Sequence, residues 1–207
     1  KRVVDFGCGT GSQSIALAKK YNCSVVGIDA NRKSLDKAIE QAKPYNIPQS
    51  GLSFVDKVSD GMLNSFDIVI SQNSFEHFGN PSMILDLMQQ LLNDSGKLLV
   101  TFGPPWLAPY GSHMQFFCKV PWINVLFSEE TVMKVRGRFR SDGATKYEEV
   151  ESGLNRMTIA KFERIIRSSN LKIEFKSYKC IRGINALSKI PFLSEYFVNH
   201  VTVILSR

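Results

Sequence analysis

Apolar positions along the chain fall into short runs separated by stretches of helical spacing, and the two kinds take turns. Residues 3–6 form an apolar run stopped by Gly7, and residues 12–21 set Ile15, Leu17 and Ala18 at helical spacing. Residues 24–28 are a second, β-branched run ending at Asp29, and residues 34–42 read as a helix closed by Pro44. Further strands are predicted at 52–55, at 66–71 (FDIVIS) and at 97–102, with a helix over 81–92 that carries Pro in its first turn. Parallel strands need crossovers of this length, and such crossovers are right-handed. The pattern therefore predicts an α/β fold, a doubly wound, mostly parallel seven-stranded sheet with helices on both faces.

After Gly103 the rhythm changes. Residues 104–155 hold Pro104, Pro105, Pro109 and Pro121, both tryptophans and the run PWINVLF, without a clean period. This stretch is expected to be an inserted lid that recognises substrate, within one domain spanning 1–207. Regular spacing returns at 158–168, where Ile159, Phe162, Ile165 and Ile166 make one helical face, and residues 171–178 and 200–205 read as strands, the last expected to be antiparallel.

Composition changes this picture little. The 43% hydrophobic and 22% charged content is that of an ordinary globular chain. No apolar run reaches the roughly 18 to 20 residues that span a bilayer, and no signal-peptide layout opens the chain, so a cytoplasmic location is the expectation. The four cysteines lack C-x-x-C spacing, which disfavours a metal site and reads as reduced thiols. The net charge of +7 is uneven: thirteen of the 26 Lys and Arg residues lie within 134–182. Nucleic acid, an anionic membrane surface and a phosphorylated substrate all suit such a bias, but many of these cations alternate with apolar residues as solvated helix faces do.

The chemistry-bearing stretch is VVDFGCGTGSQS, residues 3–14. A glycine-rich turn between the first strand and first helix lets backbone approach a ligand closely. The spacing G-x-x-x-x-G-K-[ST] of a phosphate-cradling loop is absent, and the dinucleotide pattern G-x-G-x-x-G fails by one residue, because Ser12 stands where its third glycine belongs. Asp5, two residues before Gly7, repels a pyrophosphate and suits a cationic ammonium group.

This D-x-G-x-G-x-G arrangement resembles the class I S-adenosylmethionine-dependent methyltransferases, and the resemblance covers roughly residues 3–103. It implies S-adenosylmethionine as the cofactor, held by Asp5 and by Gly7, Cys8, Gly9 and Gly11. Asp29 in VVGIDAN fits the acid that grips both ribose hydroxyls, with Ala30 and Asn31 beside the adenine. Val58, in the loop after the third strand, is placed as a base contact, though its neighbours Lys57, Ser59 and Asp60 are alternatives. FDIVISQNSFEHF supplies Asp67, Ser71 and Gln72, of which Ser71 and Gln72 are expected to face the methionine end. Members normally carry helices ahead of the first strand that help close the site, a role the 104–155 insertion is the alternative to fill.

The resemblance implies in-line displacement at a methyl on a cationic sulfur, where alignment supplies much of the acceleration. A hydroxyl acceptor benefits from a base, and imidazole, with an ordinary pKa of about 6.5, suits that task. His77, in FEHF, and His113, in PYGSHM, are the candidates. SFEHFG is similar to a short stretch of the fatty-acyl cyclopropane-forming branch, which adds Glu76. Trp106, Tyr110, Phe116, Phe117, Trp122 and Phe127 are expected to line an aromatic acceptor pocket. The stretches GPPW and DGATKYEEVESGLNRMT are similar to methyltransferases encoded with sugar and lipid biosynthesis genes. The expected function is O-methylation of a small or lipid- or sugar-linked acceptor, with peripheral membrane contact compatible and nucleic acid disfavoured, since SQNS replaces the N-P-P-Y-like block used for base amines. An NAD-dependent oxidoreductase and a non-catalytic S-adenosylmethionine-binding domain are the alternatives.

Overall fold

The computed structural model describes residues 1–207, the side chain of Pro191 excepted. Strands β1 (Arg2–Phe6), β2 (Ser24–Ile28), β3 (Leu52–Val55), β4 (Phe66–Gln72), β5 (Leu92–Phe102), β6 (Lys172–Cys180) and β7 (Val198–Ser206) form one sheet in the order β3-β2-β1-β4-β5-β7-β6. The first five pair in parallel, and β7 runs antiparallel to both β5 and β6. The reversal needs no crossover over a sheet face, because the connection from β6 returns at the same end of the sheet.

Helices α1 (Ser12–Tyr21), α2 (Arg32–Ala42), α3 (Pro81–Leu91) and α6 (Ile159–Ser168) supply the covering layers. Strand alternation divides β1 between two cores. Val3 joins Ile15 and Ala18 of α1, whereas Val4 and Phe6 join Leu85 and Met88 of α3 and Phe162 and Ile165 of α6. Within the larger core the Phe162 ring meets Phe102 and Phe75 edge-on at centroid distances of 4.8 and 5.3 Å, which anchors α6 to the sheet. Truncating such a ring to Ala costs about 3–5 kcal/mol.

Local signals explain the helix starts. The Asn31 side chain accepts the Ser34 amide and starts α2 at Arg32, two residues before the expected Ser34. The Thr158 hydroxyl accepts the Lys161 amide at 3.0 Å at the head of α6. Glu195, from a helix that periodicity did not predict, α7 (Pro191–Phe197), accepts the amides of Ile159 and Ala160 at 3.0 and 2.7 Å. That helix is too short for its period to show.

Residues 104–155 depart from the expectation of an irregular stretch. They contain α4 (Ile123–Leu126) and α5 (Glu129–Arg136), packed around a small core of their own made by Met114, Ile123, Val132, Met133, Tyr147, Val150 and Leu154. Buried Arg136 braces this core through two 2.6 Å bonds to the Asp142 carboxylate, a bidentate geometry among the stronger polar contacts available. The six aromatics do not form one pocket. Trp106 packs on Tyr147, Phe117 stacks on Phe139, Trp122 meets Phe197, and Phe116 and Phe127 are exposed. Trp106, Phe117 and Trp122 pack on three different rings, and Phe116 meets Phe117, which spacing along an aperiodic stretch does not encode.

Candidate functional site

Strand order reverses between β1 and β4, so the connections leaving their carboxyl ends go to opposite faces and leave a crevice there. The loop from β1 to α1 borders it. Gly7, Gly9 and Gly11 have φ of +77°, +53° and +77°, where a Cβ is strained. Their surroundings differ. A Cβ on Gly11 would lie 2.7 Å from the Phe54 ring and 2.8 Å from Ala38, so this glycine serves close packing. A Cβ on Gly9 would meet nothing within 4 Å, so Gly9 is the one of the three that faces open space.

Asp29 follows β2 and is tied to the same loop. Its Oδ2 accepts the Gly9 amide at 2.7 Å and its Oδ1 the Asn31 amide at 2.8 Å. Each carboxylate oxygen keeps a free lone pair, and the side chain is only half-buried, so it is fixed yet able to accept further hydrogen bonds. Ala30 and Asn31 are exposed beside it, although the Asn31 side chain is committed to capping α2. Val58 is half-buried and packs against the main core.

Asp5 lies under the loop. It is 2% exposed, and its Oδ2 accepts the Ser14 hydroxyl at 2.6 Å. Burial pushes its pKa up to about 6, against the opposing hydrogen bonds from Ser14. Its tie to α1 gives it the role of holding the loop's shape. The Cys8 thiol is pushed well above its ordinary range, by burial first and then by the Asp5 and Asp29 charges. A thiol so held is no nucleophile.

At the carboxyl end of β4, Ser71 is fully buried and its hydroxyl has no hydrogen-bond partner, while Gln72 is exposed. Ser74, which the sequence did not single out, donates to the Gly7 carbonyl at 3.0 Å and joins the β4 loop to the glycine loop across 67 residues. Only a long-range contact reveals it. Asp67 sits at the opposite end of β4, receiving bonds from the Arg2 amide and the Asn93 side chain.

Beyond Ser74 a short 3₁₀ turn over Phe75–His77 carries Glu76 and His77. Glu76 is 3% exposed; its Oε1 accepts the Gly103 amide at 3.1 Å and its Oε2 has no partner. Burial raises its pKa. His77 Nδ1 donates to the Gly153 carbonyl at 2.7 Å. A carbonyl only accepts, so Nδ1 holds the proton and the lone pair of the neutral ring sits on Nε2. The His113 ring lies edge-on to it, with centroids 5.5 Å apart. His113 Nε2 is buried without a partner, and burial, reinforced by the His77 charge, holds the ring's pKa down to about 4 against a hydrogen bond to Pro104. The fold thus brings 77 and 113 together with two Nε2 lone pairs. A pocket of about 290 Å³ beside His77 is lined by His77, Gly79, Glu148, Gly153, Asn155 and Lys161, among others, and His113 does not line it.

Asn155 clasps this arrangement. Its side-chain amide donates to the carbonyls of Phe75 and Phe78 at 2.8 and 2.9 Å, and its backbone amide to that of Glu76 at 2.9 Å. Partners 77 to 80 residues distant in sequence leave no local signal. Next to it the Arg156 guanidinium contacts both Glu129 oxygens, at 2.9 and 2.8 Å, and lies over the Trp106 and Tyr147 rings, locking the insertion's exit to α5.

The crevice fits an amino-acid nucleoside. α1 begins at Gly11 with no side-chain cap and no acid in its first turn, so its amides and dipole suit a ligand carboxylate. Asp29 suits a vicinal diol, and the orphaned Ser71 hydroxyl has hydrogen-bonding capacity to spare. Among the described residues no group of three or more His, Cys, Asp or Glu side chains is placed to hold a metal ion.

Comparison with known proteins bears on these features. A family model described as a methyltransferase domain matches residues 1–104. A mitochondrial ubiquinone biosynthesis O-methyltransferase of Dictyostelium discoideum is 27% identical over 109 residues, covering 48% of this chain and 34% of that protein. Its Saccharomyces cerevisiae counterpart is 28% identical over 134 residues, covering 64% and 39%. A glycine/sarcosine/dimethylglycine N-methyltransferase of Actinopolyspora halophila is 30% identical over 108 residues, covering 48% and 18%. The matches thus span well under half the length of these relatives. Among solved structures, an S-adenosylmethionine-dependent methyltransferase from Methanosarcina mazei superposes with a TM-score of 0.62 at 19% identity, covering 100% of this chain and 92% of that one. The 4+2 cyclase SpnF gives 0.64 at 13%, covering 99% and 73%. At such identities the likeness shows the fold.

Proposed function

Because the chain belongs to the methyltransferase-domain family, whose model matches half of it, and takes S-adenosylmethionine as its cofactor, we propose that it methylates a hydroxyl on a small or lipid- or sugar-linked acceptor. The observation that carries the choice of a hydroxyl is the facing pair His77 and His113, each with its lone pair on Nε2. The ubiquinone O-methyltransferases among the relatives support the same acceptor chemistry.

When bound, S-adenosylmethionine supplies a methyl group on a cationic sulfur. Asp29, held by the Gly9 and Asn31 amides, accepts from the ribose hydroxyls, and the bare backbone at Gly9 lets the nucleoside lie close. The uncapped α1 N-terminus would receive the carboxylate, and exposed Gln72 would border the methionine side, with Ser71 buried behind it.

His113, with a pKa of about 4, stays neutral at physiological pH and packs edge-on against the His77 ring, which holds that ring in place. His77 takes the proton, while Gly153 holds its tautomer. Glu76 keeps Gly103 in place and thereby positions the turn that carries His77.

The test is transfer of labelled methyl from S-adenosylmethionine to hydroxylated apolar acceptors as a function of pH, with an amine series alongside. Label on hydroxyl oxygen, lost in a His77 variant that still binds cofactor, supports the reading; label confined to nitrogen overturns it.

A further inference from the structure

Six of the exposed apolar side chains of this molecule lie in two short segments of the chain. Val125, Leu126 and Phe127, in and after α4, project outward, as do Ile184, Ile190 and Phe192 before and within α7; Leu126 is 63% and Phe192 73% exposed. The two segments, 115–127 and 179–197, meet where the Trp122 and Phe197 rings touch at a centroid distance of 6.1 Å. Their place in the fold follows from register. Phe197 immediately precedes β7, and Phe102, at the carboxyl end of β5, pairs with Val201, so this surface lies at the end of the sheet that bears the glycine loop and His77. Exposed apolar side chains grouped on neighbouring segments of a folded chain mark an interaction site.

The charges around it select the occupant. Across the two segments there are four cations, Lys119, Lys179, Arg182 and Lys189, and one acid, Glu195, whose carboxylate is taken by the Ile159 and Ala160 amides; just beyond Phe127, Glu129 is paired with Arg156 and Glu130 is exposed, so cations still outnumber unpaired acids. A second copy would set like-charged rims against each other. An acidic lipid surface provides both what the apolar residues and what the cations require, since interfacial segments combine buried apolar side chains with Lys and Arg at the headgroups. No helix among the described residues is long and apolar enough to cross a membrane, so the contact is a peripheral one.

We propose that the surface built by α4, α7 and the segment before α7 docks this protein onto bilayers containing anionic lipid. The docked orientation sets the acceptor side of the sheet against the membrane, where an acceptor with a lipid tail is presented headgroup first. Docking is read without cofactor or acceptor, so its failure and that of the methyl-transfer reading are separable.

The experiment is co-sedimentation of the whole chain with vesicles of phosphatidylcholine, with and without about one third phosphatidylglycerol. The comparison is the double variant Leu126→Glu with Phe192→Glu, whose exposed positions leave the core untouched, as an unchanged melting curve and S-adenosylmethionine affinity would verify. The expected result is binding to the anionic vesicles only, weakened at high salt, with roughly ten-fold less bound variant. Three results would overturn the proposal: no binding to anionic vesicles, equal binding by a folded variant, or a concentration-dependent dimer that the variant abolishes.

Discussion

The Gly9 amide points at Asp29 Oδ2 from 2.7 Å, so the loop after β1 and the acid after β2 are one unit. Removing the carboxylate takes away both the hydrogen bond that shapes the loop and the acceptor offered to a ribose. Asp29→Ala is expected to weaken S-adenosylmethionine binding by about 10- to 100-fold, the scale of one or two hydrogen bonds to a charged group. Calorimetric titration measures it, and unchanged affinity would remove Asp29 from the site.

Gly9 and Gly11 share a left-handed backbone but not surroundings. Gly9→Ala should cost about 1 kcal/mol from backbone strain, with its larger effect on cofactor affinity. Gly11→Ala adds overpacking against Phe54 and Ala38 and should cost about 2–4 kcal/mol in all. Denaturant unfolding beside cofactor titration separates the two, and equal stability losses would contradict the assignment of packing to one and ligand to the other.

His77→Asn should lower the methyl-transfer rate by roughly 10²- to 10⁴-fold while sparing cofactor affinity, as loss of a proton acceptor does. His113→Asn, which removes the ring packed edge-on against His77, should lower the transfer rate by less than the loss of His77 itself. A rate independent of His77 would point to an acceptor that needs no base.

Stability toward acid should hinge on two buried groups that work in opposite senses. His113, lowered to about 4, leaves the unfolded chain to bind a proton first, so its contribution is lost as pH falls from about 6.5 to 4. Asp5, raised from 3.8 to about 6, takes up its proton first in the folded chain, so acidification through that window stabilises. Each shift corresponds to on the order of 3 kcal/mol, and they largely offset. Between pH 6.5 and 4, Asp5→Asn should therefore lose stability more steeply than the parent, and His113→Asn less steeply, in a pH series of melting curves.

Asn155→Ala leaves the Phe75 and Phe78 carbonyls without their donor, at a cost of about 1–3 kcal/mol. Because Gly153, two residues away, fixes the His77 tautomer, the variant should lose transfer rate beyond any loss of cofactor affinity. A full rate in the folded variant would mean that the clasp is only structural.

The parallel part of the sheet was legible because each unit carries its own local instructions. Residues 3–6, 24–28 and 52–55 are buried runs punctuated by Gly or Asp, and they appear as strands with ends shifted by no more than a residue. The insertion was not legible, since its helices are four and eight residues long and Trp106, Phe117 and Trp122 pack against rings scattered along the chain. Asn31 moved the start of α2 because capping is a side-chain event that periodicity does not register.

By itself the sequence determined the fold class and the glycine loop with its acid, because these depend on residue type at short spacing: an apolar period, a backbone without Cβ, a carboxylate at a strand's end. Asp29 was marked by the resemblance, and its bond to Gly9, 20 residues away, is tertiary. Tertiary structure alone decided that Asp5 lies beneath the loop, that Ser74 and Asn155 tie segments far apart in the chain, and that His77 and His113 face one another. Those outcomes depend on which surfaces come together once the sheet closes, and burial then sets the protonation of groups whose spacing along the chain carries no trace of it.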